Sequence, residues 1–129
     1  MITLPVRLDS ASRARQALDC DLLARGIDGE TRDDTLLIVS ELVTNAIRHG
    51  RPLTADGTVH VDWTVTDRGV AIEVTDGGGG LPLAAASSDH DEGGRGLAIV
   101  DALATRWGVV DAVTSATTVW ACVACTPTS

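Results

Sequence analysis

The sequence contains no lysine, no phenylalanine and no tyrosine; all of its basic residues are arginines, and three tryptophans supply the whole aromatic content. Chemistry that needs a lysine is therefore excluded: the P-loop nucleotide site, the protein-kinase site built on a strand lysine, and Schiff-base catalysis. Any handling of phosphate must go through backbone amides, a metal ion and arginine. Basic charge is also scarce, with ten arginines against eighteen acidic residues and a formal charge of -8. That balance argues against a nucleic-acid or anionic-membrane partner and favours a protein or a metal-bound ligand. No apolar run approaches the roughly 20 residues of a spanning helix, and Met1–Asp9 lacks a basic-then-apolar signal pattern, so a cytoplasmic location is expected. Cysteine is sparse and odd in number, at three in the chain. Cys122 and Cys125 form a C-x-x-C on a stretch that reads as a strand, where residues three apart face opposite ways, so reduced packing thiols are expected rather than a metal site.

What the chain does contain is one domain's worth of residues, 129, with 44% hydrophobic content, enough to bury a core. Ile2, Leu4, Val6 and Leu8 alternate with Thr3, Pro5 and Arg7, predicting an edge strand. Ser10 is placed to cap a first helix carrying Ala14, Leu18 and Leu22, which Gly26 ends. Thr31 and Asp34 have capping-box spacing before a second helix over about 33–49. Leu36, Val39, Leu42, Val43, Ala46 and Ile47 form its apolar face, and Glu41, Asn45, Arg48 and His49 line the other. Alternation over 59–65 and 70–74 about Asp67-Arg68-Gly69 predicts a hairpin. Seven of the thirteen glycines fall between Gly77 and Gly96, which predicts a loop there. A third helix over 96–107, closed by Gly108, and a second hairpin pairing 109–113 with 117–125 complete the chain. This order is no β-α-β series; it predicts a single α/β domain over 1–129 with a mixed, mostly antiparallel sheet and helices on one face.

Three segments carry chemistry. Glu41 and Asn45, four apart on one helix face, project a carboxylate and an amide oxygen together, a pairing that suits Mg²⁺ held jointly by phosphate oxygens while the carboxylate acts as a base. Asp76 follows a strand and opens Asp76-Gly77-Gly78-Gly79-Gly80; a fixed carboxylate can accept from an exocyclic amine while glycines admit a flat ring, which fits adenine. Gly93-Gly94-Arg95-Gly96 opens the third helix, whose free amides suit phosphate. The dinucleotide fingerprint is not met, because its third glycine falls on Ile99.

Together, and in this order, these segments resemble the GHKL ATPase superfamily of gyrase, heat-shock chaperones, sensor histidine kinases and MutL. Glu41-Leu42-Val43-Thr44-Asn45-Ala46-Ile47-Arg48-His49-Gly50 resembles its N box, Asp76-x-Gly78-x-Gly80 its G1 box, and Gly94-Arg95-Gly96-Leu97 its G2 box. The detail is most similar to the small anti-sigma-factor serine/threonine kinases of high-GC actinomycetes, over nearly the whole chain. The resemblance implies a two-layer α/β sandwich (the histidine-kinase-like ATPase fold) that binds ATP with Mg²⁺ under a lid spanning 77–95. By position, Asn45 would hold Mg²⁺, Asp76 would read the adenine amine, Gly78 and Gly80 would shape the base pocket, and Arg95, Gly96 and Leu97 would cover the phosphates. Glu41 would be the general base, and His49 would contribute near the phosphates. Many relatives carry Gly-Lys-Thr or Gly-Thr before the last strand; here the chain reads Ala116-Thr117-Thr118, so Thr118 would offer a hydroxyl to a phosphate with no lysine beside it.

The implied function is a kinase that sequesters a sigma factor and phosphorylates a serine or threonine of its sulfate-transporter-like anti-anti-sigma antagonist. The alternative is a catalytically silent ATP-dependent binding module on the same fold. Relatives commonly dimerise, so a homodimer paired through the edge strand Ile2–Leu8 is a further expectation.

Overall fold

The computed structural model describes residues 1–49, 57–77, 92–111 and 116–124, and the side chains of these except at 49, 92–96 and 111. Strand β1 spans Ile2–Pro5, helix α1 Ser10–Ala24, helix α2 Gly29–His49, strand β2 Thr58–Thr66 and strand β3 Gly69–Asp76. Helix α3 (Glu92–Leu103), strand β4 (Arg106–Asp111) and strand β5 (Thr117–Ala124) follow. The five strands form one sheet in the order β1-β2-β3-β5-β4. Each pairing is antiparallel, so the mostly antiparallel character expected from the element order extends to every neighbour.

Strand alternation divides the sheet into two faces. Val59 and Val61 of β2, Val70, Ile72 and Val74 of β3, and Ala121 and Val123 of β5 turn inward and are buried. Against them pack α2 and its neighbours, with Leu18, Leu22, Ile38, Val39, Val43 and Val100 buried in the helical layer. α2 lies in the middle of that layer, touching α1 on one side, α3 on the other, and β2, β3 and β5 beneath. This explains why Ile38 and Thr35, outside the apolar face expected for α2, are fully buried.

α1 ends as its sequence predicts. Gly26 takes φ +78, the Ile27 N–H donates to the Leu22 carbonyl at 2.9 Å, and the Gly26 N–H donates to that of Leu23 at 3.1 Å. These are the two bonds of a Schellman ending. Its start differs from expectation: Ser10 is the first helical residue, not the cap, and its buried hydroxyl donates back to the Pro5 carbonyl, fastening α1 to β1. Asp9 occupies the cap position but its carboxylate pairs with Arg7. α2 begins at Gly29, four residues before its expected start, so Thr31 lies inside the helix, where its carbonyl accepts the Thr35 hydroxyl at 2.6 Å.

The largest correction concerns α3. It begins at Glu92 and ends at Leu103, not at Gly96 and Trp107. The Thr105 N–H donates to the Cys122 carbonyl at 2.7 Å, and from Arg106 onward the backbone pairs with β5. Sheet pairing thus takes Arg106, Trp107 and Gly108 out of the helix that their spacing alone predicted, and β4 begins three residues early. The last four residues of the expected lid, 92–95, are helical; 78–91 lie outside the described residues. β1 is also shorter than expected, ending at Pro5 instead of Leu8.

Candidate functional site

α2 carries two of the expected site residues. Glu41 and Asn45 are one turn apart and half-buried, flanked by the buried Leu42, Val43 and Ala46. They sit at the margin of the buried layer, so a carboxylate and an amide oxygen project together from a helix held on three sides. His49 is the last residue of α2.

Asp76 ends β3, the central strand. It continues the inward row of Val70, Ile72 and Val74 and is only 7% exposed. An apolar row closed by a buried carboxylate is costly unless that group has polar partners, and it leaves a fixed acceptor at the mouth of the core. Gly77 beside it is half-buried; Gly78 and Gly80 lie outside the described residues.

α3 packs against α2. Because it starts at Glu92, Arg95 and Gly96 are its fourth and fifth residues. The N–H groups of a helix's first three residues lack intrahelical partners, so within α3 the amides free for an anion are those of 92–94, and Arg95 begins the hydrogen-bonded part. Leu97 is buried, at 4% exposure, and belongs to the core.

The last strand turns Thr117 and Thr118 to opposite faces of the sheet. Thr118 pairs with Thr75 across β3 and β5, and their hydroxyl oxygens are 2.8 Å apart. Both lie on the sheet face turned away from the helices. Thr117 is the residue directly opposite Asp76 and shares its inward face. The signal available in the sequence was strand parity: a residue an even number of positions from the buried Ala121 and Val123 must face the helices. The structure thus brings together on the inner face the elements bearing Glu41, Asn45, Asp76 and Thr117, while Thr118 points the other way.

Among the described residues, no three His, Cys, Asp or Glu side chains cluster to hold a metal ion. The site's donor set, one amide oxygen and one carboxylate on α2, suits a hard cation that brings further oxygen ligands with it. Cys20 is exposed and Cys122 half-buried, and both are free thiols; Cys125 lies outside the described residues. No helix among the described residues is long and apolar enough to cross a membrane.

Comparison with known proteins agrees with the fold. The family model for the histidine kinase-like ATPase domain matches residues 4–123. Anti-sigma F factors of two Clostridium botulinum strains, Eklund 17B (type B) and Alaska E43 (type E3), are each 33% identical over 76 residues. Those matches cover 53% of this chain and 53% of each relative, so the chain spans about half the length of these curated relatives. The crystal structure of the RsbU and RsbW domains of Rv1364c from Mycobacterium tuberculosis superposes with a TM-score of 0.64 at 21% identity. It covers 98% of this chain and 34% of that one, a likeness of fold.

Proposed function

Because the chain belongs to the histidine kinase-like ATPase domain family, we propose that it is an ATP-binding, anti-sigma-type regulator that phosphorylates a serine or threonine of an antagonist protein. The observation that carries this reading is the buried Asp76 closing the inward row of the central strand. A carboxylate fixed there accepts from the exocyclic amine of adenine, and the half-buried Gly77 beside it lets the base approach the backbone. Thr117, opposite Asp76, offers a hydroxyl on the same face.

Asn45 is the residue that would hold Mg²⁺, and Glu41, one turn away, would accept the proton of the incoming hydroxyl. Mg-ATP supplies the transferable phosphoryl group, with the cation offsetting its negative charge. The chain's net charge of -8 makes that offset necessary, since it repels a polyanion on its own. Free amides at the start of α3, with Arg95, add phosphate contacts. His49, at the end of α2, contributes near the phosphates. The sigma factor and the sulfate-transporter-like antagonist are the proposed partners, in the cytoplasm; the names of the two anti-sigma F factors support this choice.

Transfer of label from radioactive ATP to candidate antagonists, with Mg²⁺ present, tests the reading. Label on an antagonist serine or threonine is the expected result. Tight ATP binding with no label on any antagonist favours the silent binding module, and no ATP binding at all overturns both.

A further inference from the structure

The sheet face turned away from the helices holds a depression that the nucleotide site does not use. The register sets Thr64, Ala71, Cys122 and Arg106 in one row across β2, β3, β5 and β4. Ala71 and Cys122, in the middle of that row, have small side chains and floor a cavity of about 240 Å³. Thr66 and Arg68 line it where β2 turns into β3, and Thr105 and Arg106 line it where β4 begins.

The polar side chains around this cavity are placed to donate. Arg68 and Arg106 are exposed, and a guanidinium has no acceptor to offer. Thr66 Oγ1 accepts the Arg68 N–H at 3.2 Å, and Thr105 Oγ1 accepts the Ala124 N–H at 3.0 Å. Each of these hydroxyl oxygens is thus turned to a backbone proton and keeps its own proton to give. The chain has eighteen acidic residues, yet among the described residues none pairs with either arginine. No Asp or Glu lines the cavity. A small apolar floor therefore lies between two cations, with a hydroxyl donor beside each.

We propose that this cavity binds a short organic dianion, a dicarboxylate with an apolar link between its charged ends. One carboxylate takes Arg68 and the Thr66 hydroxyl, and the other takes Arg106 and the Thr105 hydroxyl. Each guanidinium matches a carboxylate in bidentate fashion, and the link covers Ala71 and Cys122. Ala71 and Arg106 stand two strand spacings apart, about 10 Å, so long side chains at either end close on a ligand of a few carbons. Size and surroundings select a small molecule over an acidic protein segment. The cavity is smaller than a drug-sized site, about 300–1,000 Å³. An extended acidic segment would also run past Asp62 and Glu73 in the neighbouring row, where like charges oppose it. A monocarboxylate reaches one arginine only, and an inorganic anion leaves the apolar floor uncovered. The site does not rest on the nucleotide reading, because the helices and Asp76 occupy the other face.

Nuclear magnetic resonance titration of the full, isotope-labelled chain with glutarate, at constant ionic strength, tests the assignment. The amide signals of Ala71, Cys122 and Arg106 are expected to shift and saturate together, with a Kd on the order of 1 mM. Butyrate, which is glutarate without one carboxylate, and inorganic phosphate should each bind at least about fivefold more weakly. Arg68→Gln and Arg106→Gln should each weaken glutarate by about fivefold, the upper range for one exposed ion pair. The two substitutions together should abolish saturation. Shifts no larger than those produced by sodium chloride overturn the proposal. So does glutarate binding that is indifferent to both substitutions, or butyrate or phosphate binding as tightly as glutarate.

Discussion

Asp76 and Thr117 face each other directly across β3 and β5 on the helix-covered side of the sheet. The carboxylate is buried and the hydroxyl half-buried. If this pair frames the adenine edge, Asp76→Asn replaces an acceptor by a group that also presents a donor to the amine. Leaving a buried donor unpaired costs about 1–3 kcal/mol, so ATP affinity by calorimetry should fall by roughly 10–100-fold. Thr117→Ala should weaken binding less, and Thr118→Ala should leave it unchanged, because that hydroxyl is engaged with Thr75 on the far face. Loss of affinity in Thr118→Ala with none in Thr117→Ala would refute the assignment by face.

The two α2 residues separate binding from transfer. Asn45→Ala should abolish measurable Mg-ATP binding in calorimetry, since it removes the only neutral oxygen donor proposed for the cation. Glu41→Ala should keep binding and slow phosphate transfer by about 10²–10⁴, the usual cost of losing a general base. Native-rate transfer by the Glu41 variant would remove it from that role.

Local signals made much of this fold legible. The β2–β3 hairpin follows from strict alternation on both sides of a turn, and the end of α1 from one glycine at the left-handed position. Glu41, Asn45 and Asp76 stand out in the sequence because their residue types and spacing carry chemistry, and they are the residues proposed for the site. Two features were hidden because tertiary contacts decide them. Trp107 continues a helical pattern, yet pairing with Ala121 holds it in β4, where its indole N–H donates back to Asp101 at 2.8 Å. Thr35 and Ile38 are buried only because α2 has neighbours on both sides. Which of Thr117 and Thr118 faces the helices follows from strand parity, a signal within the sequence, since a one-residue slip in a strand moves every side chain to the other face.

Gly69 should be the least replaceable glycine among the described residues. A Cβ there would stand 2.1 Å from the Val123 carbonyl oxygen, and its φ is +151. Both atoms in conflict belong to paired central strands, so neither can yield without breaking the ladder. Gly69→Ala should cost about 3–5 kcal/mol in urea melts, combining overpacking with backbone strain. Gly57→Ala is the contrast: its φ is +79, but nothing lies within 4 Å of the new Cβ. Only the left-handed conformation is then penalised, by about 1–2 kcal/mol. Equal losses at the two positions would mean that the Val123 contact is not rigid.

The bond from the Trp63 indole N–H to Asp21 Oδ2, at 2.7 Å, fastens β2 to α1, and Arg25 Nε donates to the same oxygen at 3.0 Å. The Trp63 bond first, and then Arg25, hold the Asp21 carboxyl below its ordinary range against the opposing effect of burial. A carboxylate whose folded pKa is depressed stabilises the fold fully above its unfolded pKa, near 3.9. That contribution is lost as pH falls through the lower folded value. Trp63→Phe keeps an aromatic ring, smaller than the indole, and removes the donor, so it should cost at least about 1.5–3 kcal/mol at pH 7, the range for a hydrogen bond to a charged group. The difference between wild type and variant should stay constant down to about pH 5 and shrink below about pH 4 as Asp21 takes a proton. Denaturant melts across this range check the sign: a gap that widened in acid would show that the indole prefers the protonated carboxyl.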